Sequence, residues 1–243
     1  MQCHPLGVVP KKHSSDIYHL SYPEGDNIND YIPKEPYALQ YVRVDDAIRI
    51  LLSLGPGSYV AKTGLKSAFR LIPIHPDDWH LMGIYWQSQY YVDLYLPFCL
   101  RSAPFLFNQF SDALEWILQN NCGLQHVLHS LNDFFIAEPT RLKCLTSFST
   151  LRRVFMTLQA PVVVSKTLGP SQELEFMGIV LDSIRMEARL PDDKLNRAGE
   201  ILNSFTQRRS VRLFELQSLN GTLQLACKGL VPGRTFLQRM INH

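Results

Sequence analysis

The sequence predicts an α+β fold, with an antiparallel sheet backed by helices and a helical C-terminal piece. Three observations carry that expectation. Strand-like runs follow one another through short turns, without the regular strand-helix-strand crossovers of a parallel sheet. Two long segments, 102–123 and 145–158, repeat apolar residues at helical spacing. Beyond residue 190 the pattern is helical only.

Residues 1–37 are rich in Pro, Gly, Asn and Asp and predict a loop-rich segment with short strands. The chain opens directly on a strand-like GVVP run, as though cut into an existing domain. A short helix is expected over 45–54, with Val44, Ile48, Leu51 and Leu52 inward, acids at its start and Gly55-Pro56-Gly57 at its end. Strands are expected at Tyr59–Thr63 and Leu71–Ile74, then a turn at His75-Pro76-Asp77-Asp78 whose histidines and aspartates read as solvated. Residues 81–86 and 89–95 predict a hairpin around Gln87-Ser88, although neither turn residue is Gly. Ser102 is placed to cap a helix with Pro104 in its first turn, Leu106, Phe110, Leu114 and Ile117 on one face, and Gly123 at its end. His126–Leu131 and Phe134–Ala137 flank Asn132-Asp133 as a tight hairpin carrying a carboxylate at its tip. A helix marked by Leu145, Phe148, Phe155 and Leu158 follows, then a strand at Val162-Val163-Val164 and strands around 174–181 and 186–190. Leu195, Ala198, Ile201, Leu202 and Phe205 mark one closing helix, and Leu216, Leu219, Leu223 and Cys227 mark another.

Composition bounds the function classes. The 243 residues are 46% apolar and 19% charged, enough to bury a core and unlike a disordered tail. Lys plus Arg number 24 against 22 Asp plus Glu, so the net charge of +2 lacks the basic bias that by itself marks a nucleic-acid binder. No apolar run reaches the roughly 18 residues of a bilayer span, and the first residues lack a signal-type apolar stretch. No membrane partner is expected, and the location expected is intracellular, in cytoplasm or nucleus. The five cysteines, widely spaced and without a CxxC pair, read as reduced, mostly buried thiols.

Three segments carry a resemblance: KTGLKSAFRLIPIHP at 62–76, LPFCLRSAPFLFNQF at 96–110 and HSLNDFFIA at 129–137. In order and spacing they resemble the reverse transcriptase family. LGVVPKK at 6–12, HLSYPEGDNINDYIP at 19–33 and LEFMGIVLD at 174–182 resemble the form found in tyrosine-recombinase (DIRS-like) retrotransposons. The resemblance implies a polymerase palm at 58–190 containing a fingers hairpin at 80–95, partial fingers at 1–57, and the start of a helical thumb at 191–243. It also implies RNA-directed DNA polymerase chemistry on an RNA or DNA template-primer with dNTP, assisted by Mg²⁺ ions on aspartates. Oligomeric state is not implied.

The resemblance assigns site residues one by one, and the sequence departs from it at several of them. Of three acids expected to hold metal, only Asp133 remains; Gly64 stands at the strand position and Asn132 at the first hairpin position. Ser130 replaces a Tyr and Cys99 a Gly, and the HSSD stretch after Lys12 is shorter than in relatives, lacking an Arg that meets the triphosphate. Each of the four substitutions is one base change, as drift in an unselected copy would produce. Metal contacts are then expected from Asp133 and the Leu65 backbone carbonyl, and Mg²⁺ binding should be weak. Nucleotide contacts are assigned to Lys11, Lys12, Phe69, Phe98, Arg101 and Lys166. Each keeps its plain alternative: solvated charge for Lys11 and Lys12, core packing for Phe69 and Phe98, a snorkelling stem for Lys166. The implied function is a reverse transcriptase-like domain of a retroelement, catalytically impaired or dead. A repurposed non-catalytic nucleic-acid-binding module and a residually active polymerase stay open.

Overall fold

In the computed structural model, described for residues 3–4, 6–9, 15–18, 20–21, 23–206 and 212–226, the chain forms two units. Unit one comprises Met1–Tyr41, Thr63–Phe134 and Leu151–Lys166, and unit two comprises Val42–Lys62, Phe135–Thr150 and Thr167–His243. The first elements in chain order are β1 (Cys3–His4), β2 (Leu6–Val9), β3 (Ser15–Tyr18), α1 (Val44–Leu54), β4 (Tyr59–Gly64), β5 (Gly83–Trp86), β6 (Gln89–Val92) and α2 (Ala103–Trp116). There follow β7 (Val127–Ser130), β8 (Asp133–Glu138), α3 (Arg141–Thr157), β9 (Leu168–Ser171), β10 (Glu173–Phe176), β11 (Ile179–Asp182), β12 (Glu187–Arg189), α4 (Asp192–Thr206) and α5 (Leu213–Ala226). This is the expected α+β class: the pairs β2-β3, β4-β9, β5-β6, β10-β11 and β11-β12 are antiparallel, and β1 pairs in parallel with β5.

Unit one holds the β2-β3 pair and the sheet β1-β5-β6. Gln87 and Ser88 turn the β5-β6 hairpin with φ of +48° and +62°, the left-handed geometry that matches strand twist, reached here without glycine. Beneath lies an apolar cluster of Leu20, Ile28, Ile74, Met82, Leu96, Leu100 and Ala103. The expected strand at Leu71–Ile74 is instead a 3-10 turn, Ala68–Leu71, followed by a single bridge from Pro73 to Tyr95. Ile74 and Leu96 donate across the bridge to the Leu94 and Ile72 carbonyls, but the Ile72 N–H is spent on the Phe69 carbonyl and the Ile74 carbonyl accepts from Trp79 Nε1, so the ladder stops there.

The inward stripe of α2 is Ala103, Phe107, Ser111 and Leu114, continued by Leu118 in a π-turn at Ile117–Asn121. It is rotated from the expected Leu106, Phe110, Leu114 and Ile117: Leu106 is exposed, and Phe107 takes the core position against Phe69 at 5.5 Å. Ser102 is buried in helical backbone geometry and makes no side-chain cap; Pro104 still opens the helix, where its missing N–H costs nothing. In α3 the buried stripe runs Cys144, Phe148, Leu151, Phe155, so the expected Leu145 and Leu158 are exposed. Both readings share Phe148 and Phe155, and the small buried thiol of Cys144 decides between them. At 162–164 the expected strand is a bridge from Val162 to Leu65 and then a 3-10 turn, leaving Val164 exposed.

The sheet order β7-β8-β4-β9 completes the strands; unit one takes the 63–64 end of β4 and the 133–134 end of β8. In unit two, α1 ends at Gly55 with φ +84°, and its Leu52, expected inward, is exposed. Ser183 ties the β10-β11-β12 sheet to the start of β4, its hydroxyl donating to the Ser58 carbonyl (2.6 Å). In α4, Ala198 is buried but Leu195 and Leu202, expected inward, are exposed. Cys227 lies outside the described residues.

Two outcomes test this packing. Phe134 is fully buried and meets Phe155 edge-on at 4.9 Å, so Phe134→Ala should cost about 3–5 kcal/mol in urea unfolding. Burial, with help from Glu138, pushes the Cys144 thiol up to about 12. Alkylation at pH 8 should therefore spare Cys144 in the native protein and label it in urea, as peptide mass mapping would read.

Candidate functional site

The site begins where β4 ends. Leu65 donates its N–H to the Asn132 carbonyl (2.8 Å), Val163 donates to the Gly64 carbonyl (2.8 Å), and Lys66 donates to the Pro161 carbonyl (2.7 Å). These bonds bring the 64–66, 131–133 and 161–166 segments into one cluster. The β7-β8 turn is Leu131-Asn132, with Leu131 at φ +52°, so Asp133 opens β8 instead of sitting at the tip as expected. The backbone after the turn then aims its carboxylate across Gly64.

Lys166 donates from Nζ to Asp133 Oδ1 at 3.0 Å. Both side chains are close to half exposed, 49% and 43%, so this is a solvated ion pair of modest strength. Gly64 itself is buried. A Cβ built on it would lie 2.6 Å from Asp133 Oδ1 and 2.9 Å from Lys166 Cδ. The lysine stem and the carboxylate thus fill the space a residue-64 side chain would need.

The other predicted residues divide. Asn132 turns its amide toward the Leu65 carbonyl (3.2 Å), so the expected metal-facing carbonyl already accepts a hydrogen bond. Phe69 packs between Phe98 (5.1 Å) and Phe107 (5.5 Å), with Phe98 itself exposed. Arg101 is engaged elsewhere: its guanidinium donates to the Ile32 carbonyl (2.5 Å) and its N–H to Asn29 Oδ1 (2.8 Å). Cys99, half-buried, offers its carbonyl to Asn29 Nδ2 (2.9 Å), and burial raises its thiol pKa. Lys11 and Lys12 lie outside the described residues.

Two supporting residues escaped the sequence reading. Buried Asn29 bonds both Cys99 and Arg101, fixing the turn before α2. Buried His129 joins β7 to α2, with Nδ1 2.5 Å from Glu115 and Nε2 3.4 Å from Asp112. The available signal was an Asp and a Glu three apart on a predicted helix, with a histidine three residues before Asn132.

Mg²⁺ needs several oxygen ligands in near-octahedral array. Among the described residues no group of three or more His, Cys, Asp or Glu is arranged to hold a metal ion. Here one carboxylate faces an ammonium, a glycine and a neutral amide, a donor set that does not fit a pair of divalent cations. Among the described residues no helix is long and apolar enough to cross a membrane.

No protein-family profile matches the chain, and no curated protein does. Solved structures do. The foamy viral protease-reverse transcriptase dRH in complex with double-stranded DNA is 19% identical over 92% of this chain with a TM-score of 0.71. The same viral protein with an RNA/DNA hybrid is 19% identical over 98%, TM-score 0.70. A further complex with double-stranded DNA is 18% identical over 92%, TM-score 0.69. The chain spans only 36%, 30% and 42% of those chains. The likeness establishes a reverse transcriptase-like fold.

If Gly64 leaves room for the Asp133–Lys166 pair, a double-mutant cycle of Asp133→Asn and Lys166→Met should give a coupling of about 0.2–1 kcal/mol in thermal or urea unfolding. In a Gly64→Ala background the added methyl should bring that coupling close to zero. An unchanged coupling there would contradict the geometry.

Proposed function

We propose that the chain is the reverse transcriptase-like domain of a retroelement, of the DIRS-like class, that no longer catalyses nucleotidyl transfer. The observation that carries this reading is the single acid, Asp133, where Gly64 and Asn132 leave no second carboxylate and Lys166 pairs with the one that remains. In this reading 58–190 is the palm, 80–95 a fingers hairpin, 1–57 partial fingers and 191–243 the start of the thumb. In it Phe69 and Phe98, which pack on each other (5.1 Å), keep the nucleotide-contact roles the resemblance assigns, and Asp133 supplies the one carboxylate among positions 64, 132 and 133.

Catalysis would require this chain to hold a primer 3′-hydroxyl and an incoming triphosphate against several oxygen-bound charges. With the acids at 64 and 132 gone, each loss removing roughly 3 kcal/mol of transition-state stabilisation, the rate falls about 10⁴-fold or more. Purified protein should therefore fail to extend a primed RNA template in Mg²⁺, and at most show a trace in Mn²⁺. Template-dependent incorporation that vanishes on Asp133→Ala would overturn this and leave a residually active polymerase.

A second reading, a non-catalytic nucleic-acid-binding module, is favoured by the solved neighbours, which are complexes with double-stranded DNA and with an RNA/DNA hybrid. Of the cations on the segments that resemble groove-lining parts of the family, three are already engaged. Arg70 is paired with Asp93, Arg101 is held by the Ile32 carbonyl, and Lys166 is paired with Asp133. If Lys11 and Lys12 neutralise about two phosphates, log affinity on single strands should fall with log salt at a slope of about −1.4, with Kd near 10⁻⁴ to 10⁻⁶ M. Fluorescence anisotropy across several salt concentrations measures both. Nanomolar binding with little salt dependence would instead mark a selected binding function.

A further inference from the structure

We infer that Lys166 is the resident cation of this site: its ammonium takes the neutralising role at Asp133 that a divalent ion would have, and the bare backbone of Gly64 makes the exchange possible. The inference rests on the polymerase-derived reading of the site and goes beyond it, because it explains how a lone acid is kept satisfied without metal.

Four observations support it. The ammonium sits 3.0 Å from Asp133 Oδ1, a direct charge-assisted hydrogen bond. The stem reaches it by passing over Gly64, where a Cβ would come within 2.9 Å of Lys166 Cδ and 3.7 Å of its Cβ. The turn that carries the lysine is pinned to that glycine, since Val163 donates to the Gly64 carbonyl (2.8 Å) and Lys166 donates its own N–H to the Val163 carbonyl (3.1 Å). Finally, the Leu65 carbonyl, the second oxygen expected to face a metal, already accepts from Asn132 Nδ2. One carboxylate and one ammonium leave the cluster neutral, whereas two divalent ions would leave it strongly positive.

A consequence distinguishes this from simple loss of acids. Restoring a carboxylate at 132 does not restore a metal site while Lys166 remains, because the ammonium already holds the Asp133 oxygen and repels an incoming divalent ion. The lysine is an internal competitor for the cation position.

The test is a calorimetric Mn²⁺ titration of the whole chain without nucleic acid or nucleotide. It compares wild type, Asn132→Asp, and Asn132→Asp combined with Lys166→Met or with Lys166→Arg; Gly64 is kept, because a side chain there would itself displace the lysine. Wild type should show no saturable Mn²⁺ binding. The Lys166→Met combination should bind about tenfold more tightly than Asn132→Asp alone, and the Lys166→Arg combination should match Asn132→Asp, since charge is what competes. Equal affinity for the Lys166→Met combination and Asn132→Asp would overturn the inference, as would saturable wild-type binding lost on Asp133→Asn. Should the multiple variants fail to fold in thermal melts, Lys166→Met alone supplies the readout. Mn²⁺ should broaden its Asp133 amide resonance at about one-tenth the concentration needed in wild type, and equal concentrations would overturn the inference. Because primer extension plays no part, failure here leaves the proposed function standing, and polymerase activity leaves this result interpretable.

Discussion

Backbone hydrogen bonding at the end of β4 is the constraint on which the site depends. Gly64 and the two residues after it spend their amide and carbonyl groups on the β7-β8 turn and on the 161–166 segment. Buried backbone polar groups are costly to leave unpaired, so these bonds fix the spacing of the three segments whatever the side chains are. That spacing is tight enough that residue 64 has no free volume of its own. Side-chain chemistry at the site is therefore decided by which of three neighbours, 64, 133 or 166, occupies a shared space, and in this chain 166 and 133 do.

Supporting contacts hold the frame from outside. His129 sits between Glu115 and Asp112 and stacks on Phe134 (5.5 Å), linking α2 to the strand that leads into the turn. Asn29 and Arg101 lock the approach to α2, and Phe107 anchors its inward face against Phe69. The apolar burial outweighs the ion pair energetically: a buried phenylalanine is worth several kcal/mol, a half-exposed pair about 1 kcal/mol or less. The reverse transcriptase-like fold therefore does not depend on carboxylates at 64 or 132.

Much of this was legible in the chain. The α+β class, the β5-β6 hairpin and the helices lie where turn chemistry and periodicity put them, and the β7-β8 turn falls one residue earlier than expected. Gly64, Asn132, Asp133 and Lys166, named from separated motifs, do meet in space. What escaped has physical causes. Helix faces at α2 and α3 were assigned one residue off because two stripes shared residues and only packing, Phe107 on Phe69 and buried Cys144, chose between them. The strand expected at 71–74 gave way to a 3-10 turn that claims the Ile72 N–H. Arg101, assigned to nucleotide by the resemblance, has its guanidinium on the Ile32 carbonyl, a partner that a sequence does not show. The Asp133–Lys166 pair was invisible because residues 33 apart meet only once β4 is clipped between them.

The most direct test of the central claim is anomalous diffraction from crystals of the wild-type chain grown with Mn²⁺ at millimolar concentration. The account predicts Lys166 Nζ within hydrogen-bonding distance of Asp133 and no manganese peak within about 2.5 Å of that carboxylate. Two manganese peaks bridged by Asp133, with the lysine turned away, would contradict it.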